Sequence, residues 1–260
     1  MSILHMNFRS EALQKSVYPL IFLPDLNGWN DQEPPYRSLI FLHGYTGGNL
    51  ETATFVNLFL FSMVYGIAIV MPNGDNSFYA DHPSDDRLYS RYVGEELPEM
   101  VRKALPISRR REDTWIGGIS MGGYGALING LRYPETFSKI AVLSPALRFY
   151  RAPEAGQPDF PCPRPVLEET LGTWPEFRDS YRDLDSVLVK AAREGRPLPE
   201  IFAACGKQDE LLRDIFPAWC REMKEQGVPL TSWTADGQHD HDFWKRAMDP
   251  LCRFLTGREE

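Results

Sequence analysis

The chain has 260 residues, 43% hydrophobic and 25% charged, an ordinary globular usage that allows one large core. A formal net charge of −8 excludes a general attraction for nucleic acid or anionic membrane. The four cysteines, Cys162, Cys205, Cys220 and Cys252, form no CxxC pair, which argues against a zinc or redox motif and for reduced thiols.

The first nine residues lack a basic segment followed by an apolar one, so they read as the mature start of an intracellular, cytoplasmic protein. Asn7 to Leu13 and Val17 to Leu23 read as two strands that pair antiparallel on a sheet edge. Leu39-Ile40-Phe41-Leu42 reads as a strand ending at His43-Gly44. Phe55 to Met71 is strongly apolar, but Asn57, Ser62 and Gly66 interrupt it. It reads as a buried helix to about Tyr65 and a strand from Ile67, not as a membrane span. Glu95 to Leu105 carries one apolar face at helical spacing. Arg109-Arg110-Arg111 reads as a solvated loop before the next strand. Thr114 to Gly118 is that strand, and a helix from Met121 to Leu131 follows it. Further strands are expected at Ile140 to Leu143, Ile201 to Cys205 and Leu230 to Thr234. Helices are expected at Asp209 to Gln226 and His241 to Leu255.

Continuous β-prone runs, apolar on both faces, fit strands covered by helices on both sides. The expected class is therefore α/β, a mainly parallel central sheet flanked by helices, in one domain over residues 1–260. Arg148 to Pro199 breaks this rhythm with Pro158, Pro161, Pro163 and Pro165. It reads as an irregular insertion with short helices near Val166 to Leu171 and Asp183 to Arg193, either a small cap or a passive excursion.

The chemistry centres on Gly118-Ile119-Ser120-Met121-Gly122, between a strand and a glycine-rich helix start. A serine hydroxyl needs a base, a group to orient that base, and donors for the oxyanion. The Gly-x-Ser-x-Gly turn of α/β-hydrolases presents the serine on a sharp strand-to-helix bend. The Met121 amide is then one expected oxyanion donor. The Tyr45 amide, in the loop Leu42-His43-Gly44-Tyr45-Thr46-Gly47-Gly48, is the other. His43 precedes the serine and reads as a buried histidine holding that loop. The hydrolase chain order is serine, acid, histidine. Asp209 follows a strand, as the acid should. Asp236, Asp240 and Asp242 crowd the late histidines, and Asp183 and Asp185 read as surface charges. His239 and His241 both fit as the base, and position does not separate them.

Several segments resemble the tributyrin esterase and esterase D-like group of α/β-hydrolases, which includes feruloyl and acetylxylan esterases and S-formylglutathione hydrolases. They are Phe41 to Gly47, Val70-Met71-Pro72-Asn73-Gly74, Gly118 to Ala126, Ala204 to Asp209, and His239-Asp240-His241-Asp242-Phe243-Trp244. The resemblance implies Ser120, Asp209 and His239 as catalytic residues, with Tyr45 and Met121 as oxyanion donors. It aligns Trp244 so that His241 occupies the family's usual tryptophan position. Candidates for lining the substrate pocket are His43, Tyr79, His241 and Trp244, with Tyr79 also readable as a core aromatic. Pocket shape is expected from the Asp75 to Tyr92 loop and the insertion. The implied activity is hydrolysis of short-chain acyl or aryl esters, acetyl or feruloyl in type, through an acyl-enzyme. No metal or organic cofactor is expected, and the partner is a small-molecule or saccharide-linked ester. The alternatives are an S-formylglutathione hydrolase and a non-catalytic binding protein on the same fold.

Overall fold

The strand runs of the sequence meet in one sheet. A computed structural model of the protein describes residues 2–24, 32–82, 84–151 and 160–258. In chain order the first elements are β1 (Ser2–His5), β2 (Phe8–Ser10), β3 (Lys15–Val17), β4 (Leu20–Leu23) and β5 (Arg37–Leu42). Next come α1 (Asn49–Val56), α2 (Leu58–Tyr65) and β6 (Ile67–Met71). A helix follows in three parts, α3 (Tyr89–Arg91), a π turn (Tyr92–Glu96) and α4 (Leu97–Ala104). Then come β7 (Thr114–Ile119), α5 (Met121–Arg132) and β8 (Lys139–Leu143). The insertion holds α6 (Arg164–Leu171), α7 (Trp174–Phe177) and α8 (Leu184–Arg193). The chain closes with β9 (Glu200–Gly206), α9 (Ile215–Glu225), β10 (Leu230–Ala235) and α10 (His241–Thr256).

Among the described residues the main sheet has the order β1-β4-β6-β5-β7-β8-β9-β10. β1 and β4 run antiparallel, while β6, β5 and all strands beyond run parallel. Side chains alternate across β5. Ile40 and Leu42 enter the core under α5, whereas Leu39 and Phe41 enter the core under α1, α2 and α10. Burial on both faces is why β5, β6 and β7 read as unbroken apolar runs. The order reverses at β5, with β6 on one side and β7 on the other. Loops leaving the carboxyl ends of β5 and β7 diverge there and leave a crevice, the usual ligand position in such sheets. No helix among the described residues is long and apolar enough to cross a membrane.

Three sequence expectations are corrected. The edge strand is Ser2–His5, which pairs with Leu20–Leu23, while Phe8–Ser10 and Lys15–Val17 form a separate hairpin. Pro19 splits the Val17 to Leu23 run because it has no amide to donate to a ladder. The apolar helix through Tyr65 is two helices, α1 and α2, joined at Asn57 with φ 58. The helix expected from Asp209 starts only at Ile215. Asp209 Oδ1 accepts the Leu211 amide at 3.1 Å, a local turn that competes with helix. Residues 152–159 of the insertion, including Pro158, lie outside the described residues. Leu167, Leu171, Phe177, Leu184 and Leu188 of its helices join the same core cluster as α5. All four cysteines are buried and unbonded.

The Asn57 junction is sensitive to the side chain, because β-branched residues rarely adopt positive φ. Asn57→Val should lower stability by about 1–2 kcal/mol, and Asn57→Gly by far less. Urea unfolding midpoints of the two variants test this, and equal midpoints would contradict it.

Candidate active site

β7 ends at Ile119 and α5 begins at Met121, so Ser120 makes the whole turn. Its backbone sits at φ 51 and ψ −116, a region that side-chain-bearing residues rarely occupy. Three hydrogen bonds hold it there. Its amide donates to Leu143 O at 3.0 Å, and its carbonyl accepts the amides of Tyr124 at 3.0 Å and Ala146 at 2.9 Å. The turn also lies hard against the end of β5. A Cβ on Gly122 would come within 2.2 Å of Leu42 O, so only glycine fits.

The serine hydroxyl reaches His239. Ser120 Oγ lies 2.9 Å from His239 Nε2, and His239 Nδ1 lies 2.8 Å from Asp209 Oδ2. Asp209 accepts the Nδ1 proton, which leaves Nε2 free to accept from Ser120. Asp209 follows β9 and is fully buried, while His239 keeps a solvent-facing edge. Burial by itself would raise the carboxyl pKa of Asp209. The hydrogen bond from His239, and the attraction to its ring when it carries a second proton, outweigh it and, with the Leu211 amide, hold Asp209 below the ordinary carboxylate range. Asp209 therefore stays ionised next to the imidazole. Cys205 Sγ lies 3.7 Å from Asp209 Oδ2. The Ser144 hydroxyl, fully buried on a residue with φ 43, faces the same carboxylate outside ordinary hydrogen-bond geometry. The Ser144 neighbour is not visible in sequence, since it follows a different strand, β8.

The loop after β5 touches the serine. A Cβ on Gly44 would lie 3.6 Å from Ser120 Cβ, ordinary contact. The next amide, Tyr45, and the first amide of α5, Met121, donate to no backbone carbonyl or side chain among the described residues. Free amides at the start of a helix favour a developing negative charge. His43 and Tyr79 fix this loop. His43 Nε2 accepts the Gly74 amide at 2.9 Å, which puts the ring proton on Nδ1, 2.8 Å from Gly44 O. Burial pushes the His43 pKa down, so the ring stays neutral. The Tyr79 hydroxyl accepts the His43 amide at 3.0 Å. Tyr79 is fully enclosed and His43 nearly so. The structure corrects their expected place on the pocket wall, because they present no surface to a substrate.

His239 and His241 are separated by one ring. Trp244 meets His239 edge-on at 5.1 Å and His241 edge-on at 5.2 Å. His241 also packs on Phe55 at 4.7 Å. Asp240 caps α10 by accepting the Phe243 amide at 2.9 Å, which takes it out of contention as an orienting acid. Asp183 caps α8, and Asp185 pairs with Arg148 at 2.7 Å. Among the described residues no three His, Cys, Asp or Glu side chains cluster to hold a metal ion.

Two spaces adjoin the site. A cavity of about 20 Å³ lies against His239, walled by Leu147, Phe149, Phe160, Leu211 and Ile215. A larger one of about 310 Å³ lies beside Tyr45, among Lys15, Asp75, His82, Tyr89 and Glu169. The insertion therefore contributes to both walls, through Phe160 and Glu169.

Comparison with known proteins places the chain in a family. The Esterase family model matches residues 10–253. The chain is 34% identical to an acetyl esterase of Caldicellulosiruptor saccharolyticus, over 98% of each chain. It is similar in structure to the fluorophosphonate-binding serine hydrolase F of Staphylococcus aureus, with TM-score 0.84, 24% identity and 98% of each chain covered. It also resembles an S-formylglutathione hydrolase of Staphylococcus aureus, with TM-score 0.82, 25% identity and 98% of each chain covered. The chain has the α/β-hydrolase fold and belongs to the Esterase family of serine ester hydrolases.

Proposed function

We propose that the protein hydrolyses short-chain carboxylic esters through an acyl-enzyme on Ser120. The observation that carries the reading is the pair of hydrogen bonds from Ser120 Oγ to His239 Nε2 at 2.9 Å and from His239 Nδ1 to Asp209 at 2.8 Å. His239 takes the serine proton as Oγ attacks the ester carbonyl. The ionised, buried Asp209 holds the imidazole tautomer and stabilises the imidazolium. The amides of Tyr45 and Met121 receive the oxyanion. His239 then protonates the departing alcohol. Water, deprotonated by the same histidine, attacks the acyl-enzyme, releases the acid and restores Ser120.

The acyl group is short, acetyl in type. A cavity of about 20 Å³ against His239 holds little more than one water-sized group. The relative that matches end to end is an acetyl esterase. The S-formylglutathione hydrolase of Rattus norvegicus aligns with 61% of this chain and 51% of its own. The alcohol part fits the polar space beside Tyr45, whose carboxylate, amide and aromatic side chains suit a polyhydroxylated, saccharide-linked group. The chain acts as one domain, with the 148–199 segment as a cap built onto the same core.

Ser120→Ala should cut kcat for p-nitrophenyl acetate by at least about 10⁴-fold with unchanged far-UV circular dichroism. Activity retained in the folded variant would remove Ser120 from the reaction. His239→Ala should lose about 10³-fold or more, while His241→Ala, beyond Trp244, should lose less than about tenfold. Comparable losses in the two would refute the choice of base. Tyr79→Phe leaves the His43 amide buried without its partner. It should cost about 1–3 kcal/mol in stability and, by loosening the oxyanion loop, roughly tenfold in kcat. A denaturation midpoint and a steady-state rate on the same preparation check both.

A further inference from the structure

Two cavities meet at one aromatic ring. The smaller, about 20 Å³, lies against His239. The second, about 220 Å³, lies beneath the insertion and is lined by Tyr124, Tyr150, Trp174, Phe177 and Leu184. Ala146 and Phe149 line both. Their shared wall begins at the serine, since the Ala146 amide donates to Ser120 O at 2.9 Å. The Phe149 ring occupies the boundary and is 3% exposed. It stacks on Phe78 at 4.8 Å and 10°, and meets Tyr124 edge-on at 4.9 Å and Phe160 at 5.1 Å.

The chamber behind Phe149 is suited to an apolar chain. Most of its wall is aromatic or aliphatic, and Tyr150 and Trp174 meet edge-on at 5.7 Å. Arg148, Arg151, Asp183 and Asp185 also border it, and Arg148 is paired with Asp185 at 2.7 Å and with Glu222. Burying a paired charge beside a chain costs far less than burying a lone one. The space beside Tyr45 is separate from this chamber and shares none of its lining, with Lys15, Asp75, His82, Arg87 and Glu169 on its wall beside Leu13 and Val166.

We propose that Phe149 sets the acyl-chain length this protein accepts. Its ring closes the chamber beneath the insertion to the acyl group, and a smaller side chain would make that chamber a binding site for medium-chain acyl groups. The inference rests on the reading that Ser120 carries the acyl group.

The test is a set of p-nitrophenyl esters from acetate to octanoate, assayed with the wild type, Phe149→Ala and the milder Phe149→Leu. A parallel set of methyl, butyl and hexyl acetates varies the alcohol alone. The hexanoate-to-acetate ratio of kcat/KM should rise by roughly tenfold or more in Phe149→Ala and by less in Phe149→Leu. The alkyl acetate ratios should stay at the wild-type values. Adding Leu184→Phe, which refills the chamber without touching the small cavity, should reverse the gain. An unchanged ratio in either variant that melts cooperatively would overturn the proposal. So would a gain confined to the alcohol series, or one that survives Leu184→Phe. Failure of the underlying reading would show separately, as undiminished activity and fluorophosphonate labelling of Ser120→Ala with Phe149 intact.

Discussion

Ser120 occupies φ 51 and ψ −116 because a parallel strand must turn into a helix within one residue. A side-chain-bearing residue there costs about 1–3 kcal/mol. Its amide and carbonyl make three hydrogen bonds that oppose this cost, to Leu143, Tyr124 and Ala146. The close approach of Gly122 to Leu42 locks the bend against β5. Much of the site follows from that contact. It brings the loop after β5 into touch with the serine. It also makes Ala146 part of the pocket wall, because its amide is bound to the serine's own carbonyl.

The second constraint is electrostatic. Asp209 is fully buried, and a lone carboxylate in such a place would take up a proton. The His239 ring and the Leu211 amide offset the loss of water, and the carboxyl stays ionised. The residues around His43 face the opposite problem. There burial lowers the His43 pKa and outweighs the Gly44 carbonyl, which favours the charged ring, so a neutral histidine accepts the Gly74 amide and holds a loop. Two histidines of one chain thus differ in role through their partners. His239 has a carboxylate on one nitrogen and a hydroxyl on the other, whereas both His43 nitrogens are committed to backbone.

The described helices of the insertion pack on the core cluster that α5 joins. They bury Leu167, Leu171 and Leu188 in the core beneath α5. The Tyr124 hydroxyl donates to Arg182 O, and the Tyr181 hydroxyl accepts the Asp81 amide at 2.7 Å. Such ties connect the serine-bearing helix to the segment that walls the pocket. Phe149 lies in the core cluster and Phe160 packs against it, 5.1 Å away.

Most of the sheet was legible in sequence, since strands buried on both faces need unbroken apolar runs, as in Ile67 to Met71. Ser2–His5 was not, because three of its four residues are exposed. The helix break at Asn57 and the late start of α9 escaped for a local reason, a single side chain or φ value overriding a longer apolar pattern. By itself the sequence singled out Ser120 as the candidate nucleophile, through the glycines a sharp bend demands, and Asp209 as the candidate acid, through its place after a strand. It narrowed the base to His239 and His241 and, by family likeness, favoured the first. Only the tertiary structure decided that Trp244 stands between those two rings and that Asp240 is used up as a helix cap. Only it showed that Tyr79 and His43 brace a loop and line no pocket, and that Phe149 divides two cavities. Each of these depends on contacts between residues far apart in the chain, and no local pattern of residue types records such distances.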